Sequence, residues 1–129
     1  MESQVIAISS HICMTASIFV NPSQTVSLVV ETTNSSGERA DGYLDGYAAP
    51  VVTTLWLPSG STSSSFPQTM TQLGTGLYYL NVTIPSGSSG VGSFIADIHW
   101  NQPGTGLNRA EVFLINSALP FGNSTVNLA

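Results

Sequence analysis

The chain contains no lysine. Its 129 residues include two arginines and seven carboxylates, so charged side chains make up 7% of it, against roughly 25% in an average soluble domain. With a formal net charge of −5, it cannot neutralise a row of phosphates, which excludes a nucleic-acid-binding surface. It also lacks the basic patch that anionic membranes attract. The single cysteine, Cys13, permits no internal disulfide, so the fold has to stand on packing. Strong helix formers are scarce, and no window carries apolar residues at i, i+3, i+4 and i+7. No apolar run approaches the roughly 18 residues of a membrane-spanning helix. The apolar stretch near the N-terminus has no Lys or Arg ahead of it and is interrupted by Ser9, Ser10 and His11, so it does not read as a secretory signal. A soluble protein made in the cytoplasm is expected.

What fills the gap is hydroxyl and β-branched chemistry. There are 19 serines and 13 threonines, and 42% of the residues are hydrophobic. That is enough apolar content to bury a core and to exclude disorder. Short runs rich in Val, Ile, Thr, Phe and Tyr alternate with Gly, Pro, Ser and Asn clusters, the pattern of strands and turns. Seven strands are expected, over about 12–20, 24–33, 51–57, 69–73, 76–84, 92–100 and 110–116. The clearest alternations place Tyr78, Leu80, Val82 and Ile84 on one face, and Phe94, Ala96, Ile98 and Trp100 on another. Seven short strands with turn signals between them predict an all-β, antiparallel β-sandwich. A jelly roll would want eight strands and is the alternative.

The two ends read differently from the middle. Residues 1–20 are an N-terminal arm or first strand, 21–118 the sandwich, and 119–129 an exit tail. Val5, Ile6, Ile8, Ile12, Met14, Ile18 and Phe19 carry the arm's apolar surface. The gain from burying them is comparable with the entropy lost in ordering the arm. The arm is therefore expected to be ordered only where it docks, on its own sandwich or on a neighbour. The longest connection, 34–49, holds Glu38, Asp41 and Asp45 together with Tyr43 and Tyr47. Loops of this length in a compact domain are usually functional or mobile.

Catalytic chemistry has little to work with. The histidines are His11 and His99. His11 and Cys13 alternate onto one face of an extended chain, but two ligands do not make a zinc site. Gly74-Thr75-Gly76 lacks the helix and lysine of a phosphate loop and reads as a turn. Glu38, Asp41 and Asp45 are weak candidates for a hard cation such as calcium, because their spacing matches no calcium loop. Arg39 in the same loop is the competing partner for them. No enzyme activity, cofactor or metal is expected. Trp56, in an apolar strand, is expected to plug the core, and Trp100 to be half exposed. His99 is expected to face solvent. Tyr43 and Tyr47 are the better candidates for touching a partner. The sequons at Asn34, Asn81 and Asn123 are expected to carry no glycan.

Three stretches carry a resemblance: Gly74-Thr75-Gly76-Leu77-Tyr78-Tyr79, Val82-Thr83-Ile84-Pro85, and Gly92-Ser93-Phe94-Ile95-Ala96-Asp97-Ile98-His99-Trp100. Together they resemble the signature of filamin-type and related bacterial and phage Ig-like domains. Tyr78 or Tyr79 would be the corner tyrosine, and Phe94 stands where those domains have a second tyrosine. Pro50 to Gly60 resembles an earlier strand and turn, so the similarity covers about 24–117. The chain is closer still to small Ig-like virion proteins of tailed phages, cyanophages included, as the Ala118-Leu119-Pro120-Phe121-Gly122-Asn123 ending suggests. The resemblance implies a structural virion protein assembled in the host cytoplasm. It implies a capsid cement (decoration) protein that binds the major capsid protein or other virion proteins through its arm, as a homotrimer. It brings no catalytic residues. A tail, neck or baseplate adaptor, or an Ig-like module for host carbohydrate using Tyr43 and Tyr47, is the alternative.

Overall fold

The computed structural model describes the backbone of residues 4–8 and 15–119 and the side chains of residues 17–119. Among the described residues nine strands form: β1 (Gln4–Ile8), β2 (Thr15–Val20), β3 (Thr25–Glu31), β4 (Val51–Trp56), β5 (Gln68–Thr69), β6 (Thr71–Gly74), β7 (Leu77–Thr83), β8 (Gly92–Asn101) and β9 (Asn108–Ser117). They make two sheets, ordered β1-β3-β7-β6 and β2-β9-β8-β4-β5. The expected all-β sandwich is the fold. The only helical piece among the described residues is one 3-10 turn, Gly87–Gly90.

The core follows from side chains alternating between the two faces of each strand. In the first sheet, β3 and β7 pair antiparallel with Val26 opposite Val82 and Val30 opposite Tyr78. In the second, β8 and β9 pair antiparallel with Phe94 opposite Ile115 and Ala96 opposite Phe113. These inward rows are buried together with Val52, Leu55, Met70 and Trp100. Burial in β8 alternates strictly, because its inward residues face the other sheet and its outward ones, Ser93, Ile95, Asp97 and His99, stay half-covered or exposed.

Two tryptophans exchange their expected places. Trp100 is buried at 4% exposure, while Trp56 is 40% exposed. The cause is a β-bulge in β4. Val52 pairs with Ile98, but Thr54, not Thr53, is next in register, opposite Asp97. One extra residue reverses the side-chain parity downstream of it. Val52 and Leu55 therefore share the inner face, and Trp56 turns outward, where its indole Nε1 donates to Asp97 Oδ2 at 3.2 Å.

The expected strand at 69–73 is two strands. β5 pairs with β4 in one sheet and β6 with β7 in the other. The chain changes sheets at Met70, whose side chain is 3% exposed and whose N–H donates to the Pro50 carbonyl at 2.9 Å.

The N-terminal segment docks on its own sandwich. β1 runs parallel to β3, with Val5 opposite Val26 and Ile8 opposite Val29. β2 runs parallel to β9, from Thr15 opposite Val112 to Val20 opposite Ser117. One short segment thus closes the same side of both sheets. The fold is not purely antiparallel, since both of these pairings are parallel. The segment Asn21 to Gln24 carries the chain from one sheet to the other. There Asn21 Nδ2 donates to the Ala118 carbonyl at 2.7 Å.

Candidate functional site

The long 34–49 connection, the β6–β7 turn and the β8–β9 loop meet at one end of the sandwich. Thr32, fully buried, organises them. Its N–H donates to Gly76 O at 2.7 Å and its carbonyl accepts from Ala40 N at 3.1 Å. Its hydroxyl donates to Ala40 O at 2.5 Å and accepts from Gly42 N at 3.0 Å. Gly42 must be small. A Cβ there would lie 2.8 Å from Thr32 Cγ2 and 3.0 Å from Trp100 Cδ1.

Two of the three carboxylates of the candidate cation site, Asp41 and Glu38, are taken up by separate partners. Asp41 accepts from Gly76 N at 2.9 Å and from Gln72 Nε2 at 2.8 Å, tying the loop to the β6–β7 turn. Glu38 accepts from Asn34 Nδ2 at 3.4 Å. Among the described residues, no group of three His, Cys, Asp or Glu side chains is placed to hold a metal, so Glu38, Asp41 and Asp45 do not converge. Arg39 pairs with none of them. Its Nε lies 2.6 Å from Glu31 Oε2 at the end of β3.

Tyr78 is the tyrosine that fastens strand to loop. It is 1% exposed, and its hydroxyl donates to Gly42 O at 3.4 Å. Burial, reinforced by the negative charge of Asp41 beside it, pushes its pKa from 10.0 up to about 12. Tyr79 lies on the opposite face of β7, half-buried.

Two sets of exposed apolar side chains stand out. At the loop end, Tyr43 is 38% and Tyr47 42% exposed. The Tyr43 carbonyl accepts from Asn101 N, which pins it to the β8–β9 hairpin. At the other end of the molecule, Phe19 is 78% and Leu119 67% exposed. These two line one shallow apolar depression together with Val20 and Ala118. Ile18, on the opposite face of β2, packs against the core. Val5, Ile6 and Ile8 lie in β1 at the register already given, and only their backbone is described. Ile12 and Met14, with His11 and Cys13, lie outside the described residues.

A polar pocket of about 190 Å³ opens between the sheets at the loop end. Glu31, Asn34 and Ser35 form one wall, and Trp100, Gln102 and Arg109 the other. The first wall is stiff. Asn34 Oδ1 accepts from the N–H groups of Ser36 and Glu38 at 2.9 and 3.1 Å, closing a tight turn. Thr33 and Arg39 bridge its base. The second wall is also fixed, because Gln102 Oε1 accepts from Thr105 Oγ1 at 2.8 Å. Its amide nitrogen takes no part in that bond. None of the pocket's residues stands out in the sequence as a binding group. The usable signal is the arginine count, because Arg109 lines the pocket and Arg39 is bound to one of its walls.

Comparison with known proteins finds no matching family model, no matching characterised protein and no matching solved structure.

Proposed function

We propose that the chain is a structural protein of a phage virion, a capsid cement subunit that binds the major capsid protein and works as a trimer. The observation that carries this is Phe19, a large apolar side chain 78% exposed on the edge strand of a sheet, beside the exposed Leu119. Burying one such side chain contributes about 1.5–3 kcal/mol. β2 has β9 on one side and, among the described residues, no hydrogen-bonded strand on the other. An edge of this kind offers a row of backbone donors and acceptors to an incoming strand. The low-charge, hydroxyl-rich surface adds support, since the centres of protein interfaces are depleted in charge. The intrachain docking of β1 and β2 refines the idea of a lapping arm. Contact is made by the outer face and edge of β2 rather than by a free segment.

The test is sedimentation of the protein with capsids assembled from major capsid protein. Phe19→Asp should abolish co-sedimentation and leave thermal unfolding unchanged, because the side chain is already in water. Tyr43→Ala should bind as the parent does. Retained binding by Phe19→Asp overturns the assignment of this face. Failure of the parent protein to bind any virion shell or tail component overturns the function.

A further inference from the structure

A chain with two arginines and no lysine has placed both arginines around one pocket. Arg109 belongs to the inward-facing row of β9, with Glu111, Phe113 and Ile115, but sits where the strand emerges at the loop end. It is exposed. Among the described residues, its guanidinium has no carboxylate within ion-pair distance. Across the pocket, Glu31 holds Arg39. That pair is neutral as a unit, so the unopposed positive charge is on Arg109. Around it stand donors and acceptors: the amide nitrogen of Gln102 gives hydrogen bonds, the carboxylate of Glu31 takes them, and the hydroxyls of Thr33 and Ser35 do both.

We infer that this pocket binds a carboxylate-bearing sugar, with Arg109 gripping the carboxylate and the Glu31–Ser35 wall receiving the hydroxyls. An arginine fork matches a carboxylate bidentately, which a point charge cannot do. Glu31 is acceptor-only, so it takes hydroxyl donors and offers nothing to a second anionic group, and Glu38 stands behind Asn34 at 3.4 Å. The ligand must therefore be negative at one end and rich in hydroxyl donors at the other. Phosphate and sulfate fail that requirement, and a sugar acid meets it. A pocket of about 190 Å³ takes one ring with its substituents rather than a peptide, which would need an extended groove. Tyr43 and Tyr47, the aromatics expected to stack on carbohydrate, lie in the connection that continues from this wall.

The experiment is titration of the full protein with glucuronic acid and N-acetylneuraminic acid, followed by calorimetry or by NMR shifts of the Trp100 indole. Glucose and an acetylated glutamate peptide are the comparison ligands. At least one sugar acid should bind, with glucose and the peptide at least tenfold weaker. Arg109→Gln should reduce affinity about tenfold or more, as expected on losing a charge-assisted pair. Arg109→Lys should recover part of it. Thermal unfolding of both variants should match the parent, because Arg109 is exposed. Equal binding of glucose, equal or better binding of the peptide, undiminished binding by Arg109→Gln, or no binding of either acid would each overturn the inference. None of these outcomes bears on capsid attachment through Phe19.

Discussion

Trp100 and Trp56 lie on opposite faces of one sheet, and their substitution should separate them cleanly. Trp100 fills the space between the sheets against Gly42, so Trp100→Ala should cost about 3–5 kcal/mol in urea unfolding. Trp56→Ala removes a half-exposed ring and one hydrogen bond, and should cost no more than about 1 kcal/mol. Acrylamide should quench Trp56 fluorescence and leave Trp100 shielded. The sequence points to Trp56 as the buried one because both parities of β4 look apolar. Val51, Val52, Leu55 and Leu57 offer no polar row to mark the outside. In β8 the polar row Ser93, Asp97 and His99 marks it, so the inward face is legible there. Tyr78 supplies a second residue-scale prediction. Its phenol is harder to ionise in the folded chain than the ordinary value of 10.0, at about 12. The unfolded state therefore loses its proton first. The stabilisation is complete below pH 10 and is lost as pH rises through 10 to about 12. Tyr78→Phe should flatten that alkaline decline in unfolding midpoint, and an unchanged decline would assign it to other groups.

At the scale of elements, the bulge in β4 is the feature on which the second sheet's face depends. Deleting Thr53 removes only the extra residue: Val52 stays opposite Ile98 and Thr54 opposite Asp97, now in an unbroken ladder, with Leu55 still inward and Trp56 still outward. The inner row of Val52, Leu55 and Phe94 is kept, so what the deletion loses is the local bend of the strand and the Thr53 contact. The deletion should keep a cooperative urea transition and lower stability by no more than about 2 kcal/mol. Thr53→Ala keeps the residue count and should cost only about 1 kcal/mol, through its 3.3 Å bond to Asp97 O. Loss of the transition in the deletion would show that the bend itself, and not the inward row, holds the second sheet together. Strand existence is readable from the sequence almost throughout, because β-branched runs bounded by Gly and Pro suit an extended, pleated chain and little else. Two things are not readable. The change of sheet at Met70 leaves no mark in alternation, since a strand that crosses between sheets keeps the same local pattern. β1, Gln-Val-Ile-Ala-Ile, carries no polar row and reads as part of an arm. The polar pocket is illegible because its walls come from the ends of β3, β8 and β9, nearly eighty residues apart in sequence. Topology alone brings them together.

For the whole molecule, the absence of lysine acquires a physical meaning once the ion pairs are placed. Between described residues a single pair forms, Arg39 with Glu31, and its arginine side chain is 55% exposed. Such a pair contributes at most about 1 kcal/mol and is screened by salt. The fold therefore rests on apolar burial between the sheets and on backbone pairing, neither of which depends on ionic strength through charge. Long-range repulsion from a net charge of −5 acts weakly in the opposite direction and is screened as well. The two salt effects oppose each other and both are small. Raising NaCl from about 0.05 to 1 M, where the Debye length falls to roughly 3 Å, should change unfolding free energy by less than about 1 kcal/mol. Ammonium sulfate at equal ionic strength should stabilise clearly, because excluded salts strengthen apolar burial. A large loss of stability in NaCl would mean that charge pairing, not packing, holds the two sheets together.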